Sequence, residues 1–287
     1  NRNWNAHLGL RYDYMEAEVA SSLAPNSGSA SDGIASVKTG LSYQFAANWQ
    51  AYLNAGQGFH SNDARGATTT LDPVSGESVA PVNLLVRSNG AELGLRFFDY
   101  SALNASVALW YLEMDSELLY VGDAGTNEPS RASERYGIEV AAYYWFSRNW
   151  SIDTELALTR SRFTGNSPDE GNYVDGALPL VMSMGLIYKA DSPWQLSIRL
   201  RHFGKRTLDS YNQQRSAAST VLNGGYQYQW QNWQLDVDLL NILDSNDSDI
   251  DYFYASRLAG EPAEGVEDRH SHPMEPRSFR LTLRYQF

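Results

Sequence analysis

The chain has 287 residues with 22 basic and 34 acidic side chains, a formal net charge of −12 and no cysteine. This balance excludes a protein that mainly binds nucleic acid, which needs clustered Lys and Arg, and the missing cysteines exclude disulfides and thiolate metal sites. The content of 43% apolar residues excludes intrinsic disorder, and no run of residues approaches the ~18 to 20 apolar positions of a membrane-spanning helix.

Apolar and polar residues alternate along most of the chain, which predicts β-strands whose two faces differ. In the last strand, for example, Phe279, Leu281 and Leu283 share a face that Arg280 and Arg284 do not. Twelve strands are predicted, most of them near the ~9 to 11 residues that cross a bilayer at the usual tilt. They lie at 4–15, 35–46, 49–60, 90–98, 103–121, 134–146, 150–159, 179–189, 194–201, 219–230, 233–239 and 276–287.

The connections between these strands alternate between short and long. Short turns are predicted at 46–48, 99–102, 147–149, 190–193 and 231–232. Long polar connections are predicted at 16–33, 61–88, 122–133, 160–178, 206–218 and 244–275. This alternation is typical of an outer-membrane barrel, with tight periplasmic turns and long extracellular loops.

Aromatic residues gather beside the short turns. Seven of the eight tryptophans, all but Trp110, are predicted at this end of the barrel, with Trp4 beginning the first strand and Phe287 ending the last. Indole rings favour the headgroup level of a membrane. The alternative, a soluble sandwich with core aromatics, predicts rings scattered along the strands.

Charged residues occupy the face opposite the apolar one. This pattern predicts a lipid-facing apolar surface and a polar lumen, because an Arg or Lys on the lipid side near mid-bilayer costs about 2–4 kcal/mol. If Trp233 and Phe287 are level, Asp236 and Asp238 face the arginines of the last strand, Arg280 and Arg284. If the last strand ends in the periplasm and the number of strands is even, the first strand also starts in the periplasm.

Several short segments, in this order and spacing, resemble the barrel of TonB-dependent outer-membrane receptors. They are LGLRYDY at 8–14, YLNAGQGF at 52–59, GAELG at 90–94, YGIE at 136–139, LLNILD at 239–244 and the C-terminal YQF at 285–287. Each segment alone is a weak signal, but together they extend over the whole chain.

The resemblance implies an all-β fold, a transmembrane antiparallel up-and-down β-barrel in the bacterial outer membrane. Family barrels have twenty-two strands and an N-terminal plug, so residues 1–287 are expected to be the last twelve strands, without the plug or the TonB-contacting segment. The implied function is TonB-dependent uptake of a scarce ligand such as a siderophore or metal complex. The implied partners are the TonB complex through the missing plug, outer-membrane lipid, and the barrel-assembly machinery through Phe287.

The last long loop supplies one group of candidate ligand-binding residues: Asp268, His270, His272 and Glu275. Alternating residues of an extended segment point to one side, and two imidazoles with carboxylates suit a divalent metal. The alternative is that this segment closes the rim by hydrogen bonds to its neighbours. No third nitrogen ligand is evident, so the sequence does not assign a metal site.

Further candidates lie in the same loop and in an earlier one. Tyr252 and Tyr254 belong to an aromatic run that suits an apolar or planar ligand, while His60, Asp63 and Arg65 begin the connection after the third strand. The aspartates at 247, 249 and 251 lack the Gly and terminal Glu of an EF-hand loop, so solvated loop charge is the favoured interpretation over calcium binding.

The sequence gives no support for an enzyme, since no elbow motif or orienting group accompanies any Ser–His pair, and no cofactor motif is present. Two other functions stay open. One is a stand-alone twelve-stranded porin for passive diffusion, which steady single-channel conductance would reveal. The other is a structural or assembly barrel without transport.

Overall fold

The structure, a computed structural model, describes residues 3–73, 76–99, 101–116, 118–121, 126–129, 131–165, 167–168, 170–189 and 191–287. Sixteen strands dominate these residues. Those of the main sheet are β1 (Trp4–Val19), β2 (Gly28–Ala46), β3 (Trp49–Ser61), β4 (Leu85–Asp99), β5 (Leu103–Met114), β8 (Ser133–Trp145), β9 (Trp150–Phe163), β10 (Leu180–Lys189), β11 (Trp194–Phe203), β12 (Ser219–Trp230), β13 (Trp233–Leu240) and β16 (Ser278–Tyr285). Two hairpins add β6 (Leu118–Val121) with β7 (Thr126–Pro129), and β14 (Ser248–Ser256) with β15 (Val266–Pro273).

The main sheet has twelve strands, each antiparallel to the next along the chain, so the predicted up-and-down order is confirmed. β1 and β16 are its two edges and, within the described residues, do not pair with each other. The sheet is therefore open. The short connections lie at one end, which we call the turn end, and the long ones at the other, the loop end.

One face of the sheet, the apolar face, carries exposed aliphatic or aromatic side chains across all twelve strands. The register aligns them from strand to strand, as in the row Leu53, Leu93, Leu109. Leu8 and Leu10 on β1 are 71% and 77% exposed, and Phe279 on β16 is 75% exposed. Such a continuous exposed apolar surface marks contact with lipid or another protein.

The opposite face, the polar face, holds the charged residues that the alternation placed there. The guanidinium of Arg199 donates to both oxygens of Asp153 at 2.8 and 2.9 Å and to Ser183 at 3.1 Å. Arg284 pairs with Asp236 at 2.6 Å. These charge-assisted contacts pair four of the charged residues of this face.

The predicted pairing of β13 with the last strand is correct, but the level is two residues off. Trp233 lies opposite Tyr285 rather than Phe287, so Asp238 faces Arg280 directly and Asp236 reaches Arg284 diagonally. Phe287 extends past the strand and packs edge-on against Tyr285, with ring centroids 5.1 Å apart.

Aromatic rings line the turn end, as predicted. Trp4 stacks on Tyr43 at 4.3 Å between ring centroids, and Trp49 contacts Phe97 at 4.9 Å. Further along the sheet, Tyr188 lies between Trp150 at 4.7 Å and Trp194 at 4.9 Å. The rings form a belt across neighbouring strands rather than a compact core.

At the loop end several strands are longer than predicted and β5 is shorter, and this corrects several boundaries. β1 and β2 pair as far as Val19 and Gly28, so most of the expected loop at 16–33 is a hairpin arm. β4 begins at Leu85, β9 runs to Phe163, and β5 ends at Met114 instead of 121. The connection predicted at 244–275 contains the β14–β15 hairpin.

A small core at the loop end joins the β1–β2 arm to the connection after β3. The five-residue helix α1 (Ala64–Thr68) buries Ala67 against Ile34, Leu84 and Leu85. Neither α1 nor the 3₁₀ turn at Ala24–Asn26 is long and apolar enough to cross a membrane, and the described residues contain no other helix.

Candidate ligand-binding surface

The β14–β15 hairpin collects most of the predicted site residues on one surface. Its register sets Tyr252 opposite His270 and Tyr254 opposite Asp268, and His272 follows two residues along β15. Successive residues of a strand point to opposite sides, so these five share one side of the hairpin, which we call the hairpin face. The sequence identified its members, and the pairing brings them together.

Ring stacking and a hydrogen bond to a carboxylate fix the two imidazoles of the hairpin face. The ring of His270 stacks on Tyr254 with centroids 3.9 Å apart and planes 15° from parallel, and its Nε2 lies 3.3 Å from the Tyr254 carbonyl oxygen. His272 Nδ1 lies 2.8 Å from Asp249, and both side chains are at least half exposed. The face thus presents a flat aromatic–imidazole pair beside an exposed imidazole–carboxylate hydrogen bond.

Among the described residues, no group of three or more His, Asp or Glu side chains is close enough to hold a metal ion. His272 and Asp249 alone supply two donors. The arrangement suits contact with a ligand that brings its own metal or ring system better than capture of a bare ion.

The aspartate run at 247–251 is structural rather than freely solvated, which corrects the sequence interpretation. Asp251 is 5% exposed and accepts from the Ser271 hydroxyl at 2.6 Å. Asp247 accepts from the backbone N–H of Thr220 at 3.0 Å. With Asp249 on His272, all three carboxylates hold the hairpin in place.

Asn241, in the LLNILD segment, anchors both ends of the long loop. It is 3% exposed; its amide donates to the carbonyls of Ser245 at 3.1 Å and Glu275 at 3.0 Å, and its Oδ1 accepts from Ser245 N–H at 3.0 Å. Its φ is +48°, a conformation that Asn adopts more readily than most residues. Glu275 therefore contributes through its backbone, while its exposed side chain lies just beyond the hairpin face.

The second predicted group lies where β3 meets α1. Asp63 caps α1 by accepting from the Arg65 N–H at 2.9 Å, and the two side chains form an ion pair at 2.6 Å. Hydrogen bonds from the Arg65 side chain and backbone hold the pKa of the Asp63 carboxyl below its usual value. His60 is half-buried, and its Nε2 has no hydrogen-bond partner among the described residues.

The structure does not unite the two groups into one site. Seven strands of the sheet separate β3 from β13, which leads into the hairpin. The hairpin face is therefore the coherent candidate, and His60, Asp63 and Arg65 form a separate cluster in which Asp63 and Arg65 satisfy each other.

A cleft at the loop end of β9 was not predicted from the sequence. It is lined by Arg160, Arg162, Lys205 and Arg215 between the connections at 164–179 and 204–218. The alternation of β9 continues past Leu158 and places Arg160 and Arg162 on the apolar face. Two arginines on an otherwise apolar face are the sequence signal that could have identified the cleft.

Comparison with known proteins agrees with this architecture. A family model described as "TonB dependent receptor-like, beta-barrel" matches residues 1–242. The ferric yersiniabactin uptake receptor FyuA from Yersinia pestis superposes with a TM-score of 0.79 at 18% identity, covering 100% of this chain and 44% of the receptor.

Two other solved structures are similar. The copper transporter OprC has a TM-score of 0.75 at 16% identity, covering 100% of this chain and 45% of its own. The ferric citrate transporter FecA has a TM-score of 0.70 at 18% identity, covering 98% and 42%. The chain thus spans less than half the length of the solved structures that it matches.

Proposed function

The chain belongs to the TonB-dependent receptor-like β-barrel family, and from that premise we propose that it forms the last twelve strands of an outer-membrane receptor. The receptor would import a scarce ligand, such as a siderophore or metal chelate, with energy delivered by TonB. The barrels of this family are receptors and transporters rather than enzymes.

The continuous apolar face of the open sheet carries the proposal. A sheet with this face in lipid would leave the backbone N–H and C=O groups of β1 and β16 without partners, which hydrocarbon does not tolerate. Further strands of the same protein would pair with both edges and close the barrel. Twelve strands with unjoined edges do not favour the stand-alone porin.

The polar face then lines a lumen that a plug would fill. Its Arg199–Asp153 and Arg284–Asp236 pairs offer hydrogen bonds to a folded domain as well as to water. The turn end, with its aromatic belt, would lie in the periplasm and the loop end outside. Coupling would require TonB to act on the plug, and Phe287 at the strand terminus would be read during barrel assembly.

The hairpin face is the proposed ligand contact of this chain. The stacked Tyr254–His270 pair presents a planar surface, and the His272–Asp249 pair adds polar contacts next to it. Such a combination suits a chelate with aromatic or carboxylate groups. The solved relatives named above for ferric yersiniabactin, copper and ferric citrate support this ligand class without selecting one member.

Uptake measurements test the import function. Cells that express the full-length protein would receive ferric yersiniabactin or ferric citrate labelled with radioactive iron, or copper, in strains with and without TonB. We expect saturable uptake of at least one probe that disappears without TonB. Uptake that is linear in probe concentration and equal in both strains would overturn the proposal in favour of passive diffusion.

The contact surface is tested separately by His270→Ala with His272→Ala. We expect the affinity of the transported probe to fall by about tenfold or more, since two polar or stacking contacts of about 1 kcal/mol each are removed. Leu258→Ala, at the exposed tip of the same hairpin, is the matched control and should bind normally. Equal affinities in all three proteins would remove the hairpin face from the site.

A further inference from the structure

The cationic cleft, lined by Arg160, Arg162, Lys205 and Arg215, is a second concave site at the loop end. Its volume is about 280 Å³, and its remaining lining residues are neutral: Thr159, Ser161, Tyr173, Val174, Ala177, Leu178, Pro179, Thr207 and Asn212. Four cations therefore surround a space that no lining carboxylate neutralises.

Among the described residues, no ion pair compensates the positive charge of the cleft. Within the described part of the chain, none of the four cations lies within 4.0 Å of a carboxylate. Arg162 instead stacks over the Tyr173 ring at 3.5 Å and donates to the Ser161 carbonyl at 2.9 Å. Arg215 donates to the Lys205 carbonyl at 3.2 Å.

Three carboxylates near the cleft, Glu134, Glu170 and Asp209, are engaged elsewhere. Glu134 faces Arg162 across β8 and β9 but lies 3.4 Å from the Tyr111 hydroxyl. Glu170 pairs with Arg131 at 2.9 Å, and Asp209 accepts from several backbone N–H groups of its own loop, including that of Tyr211 at 2.8 Å. The positive charge of the cleft therefore favours the binding of an anion.

Two of the four cations that line the cleft lie on the apolar side of β9, beyond the aliphatic band. Leu158, Arg160 and Arg162 alternate along β9 on that side, so the two arginines lie about 7 and 14 Å along the strand from Leu158. Tyr136 of β8 stands opposite Arg160 in the register. The arginines therefore occupy the level where hydrocarbon gives way to lipid headgroups.

An apolar groove continues from the cleft toward the middle of the sheet. Its volume is about 510 Å³, and Leu109, Ile138 and Leu158 line it together with Tyr136. Thr159, Arg160 and Pro179 line both the groove and the cleft. A cationic site joined to an apolar groove matches one molecule with an anionic head and a hydrocarbon tail.

We infer that this composite site binds a phosphate-bearing lipid of the outer leaflet, with the phosphate in the cationic cleft and an acyl chain in the groove. Guanidinium groups match phosphate oxygens bidentately, and two arginines at the lipid boundary gain the counterion that they lack within the protein. The inference rests on the proposed function for its orientation, since it needs the loop end to lie outside.

Three probes separate the parts of the site. Full-length protein in neutral detergent would be titrated with dioleoyl phosphatidic acid, with dioleoylglycerol, which has the same chains without phosphate, and with inorganic phosphate. We expect saturable binding of phosphatidic acid that weakens with salt, and at least about tenfold weaker binding of the other two. Inorganic phosphate that binds as tightly would overturn the lipid site in favour of a soluble anion, and equal binding of dioleoylglycerol would overturn the role of the cations.

Variants assign the binding to the cleft. Arg160→Gln with Arg162→Gln should weaken phosphatidic acid binding at least about tenfold, which is about 1.4 kcal/mol of binding free energy, because both guanidinium groups lose their charge-assisted bonds to phosphate. Lys205→Gln with Arg215→Gln, at two exposed loop positions, provides a second pair that leaves β9 unaltered. Arg257→Gln with Arg269→Gln removes two charges from the β14–β15 hairpin and should bind as the parent does.

Binding that is unchanged in both cleft pairs would refute the assignment. Uptake of the iron and copper probes keeps this outcome distinct from a failure of the proposed function. The cleft variants should take up the transported probe at the parent rate, whereas a receptor that imports none of the probes would still bind phosphatidic acid if the inference about the cleft is correct.

Discussion

Replacing Asn241 by Ala should release the β14–β15 hairpin from the barrel while the barrel itself stays folded. The side chain makes four hydrogen bonds: two donated to the carbonyls of Ser245 and Glu275, and two accepted from the N–H and hydroxyl of Ser245. At about 1 kcal/mol net each, their loss costs about 4 kcal/mol. Alanine at a φ of +48° adds about 1 kcal/mol more.

Hydrogen exchange read by mass spectrometry measures this effect locally. A loss of about 4–5 kcal/mol accelerates exchange of the backbone amides at 248–273 by about 1000- to 5000-fold, or to the rate of an unprotected chain if that is reached first. Exchange in β9 and β10 should not change. Asn241→Gly removes the same bonds but adopts the positive φ freely, so its acceleration should be smaller than that of Asn241→Ala.

Asn246→Ala is the control, since Asn246 is exposed in the same loop. The anchoring role is refuted if Asn241→Ala accelerates exchange of the hairpin by less than about tenfold, or no more than Asn246→Ala does. Equal acceleration by the Ala and Gly variants would show that the backbone conformation contributes nothing.

Two further predictions address the membrane face and the loops. Ile198→Arg, on the apolar face of β11, should lower the free energy of unfolding in lipid by about 2–4 kcal/mol, while Ser197→Arg on the polar face should change it little. Urea titrations measure both, and equal losses of unfolding free energy would contradict the assignment of faces. Burial, then the charges of Asp209 and Glu170, raise the pKa of the Asp175 carboxyl to about 6, although more than a third of the residue's surface is exposed. Because the pKa of this acid is raised in the folded state, the stability of the protein falls as pH rises from about 4 through 6. Asp175→Asn should therefore raise the melting temperature at about pH 8 and leave it unchanged near pH 4. A higher melting temperature at pH 4 alone would contradict a raised pKa.

The alternation of apolar and polar residues predicted the twelve-stranded sheet and its two faces. It could do so because a period of two depends only on the side of the strand to which each side chain points. Leu53 and Tyr52 are neighbours in sequence, yet one is 49% exposed on the apolar face and the other 6% exposed on the polar face. Tyr52 is buried because Arg96 covers its ring at 4.0 Å and its hydroxyl donates to Glu92. Those contacts depend on the register between strands, which alternation alone does not determine.

The extent of the strands was harder to predict at the loop end. Glu16 and Glu18 follow on the side of the strand that carries Leu8 and Leu10, while the apolar residues change to the other side, where Met15 and Ala17 pack against the small core at the loop end. The lipid-facing pattern therefore ends before the strand does, and the rest of the arm resembles a polar loop. The candidate site shows the same limit. Tyr254 and His270 were chosen for their chemistry, but their stacking follows from the register of a hairpin whose strands are rich in Asp and His.

The gathering of seven tryptophans at the turn end has a spectroscopic consequence. Six of them, all but Trp145, lie on the apolar face by the alternation of their strands, at one depth beside the short turns. Intrinsic fluorescence therefore samples mainly a single leaflet, with Trp110 and Trp145, both on the polar face, as the exceptions. Bromine atoms placed at different depths along lipid chains should quench this emission most strongly in a narrow interval near the headgroups. The emission of the native protein therefore reports the depth of the turn end during insertion.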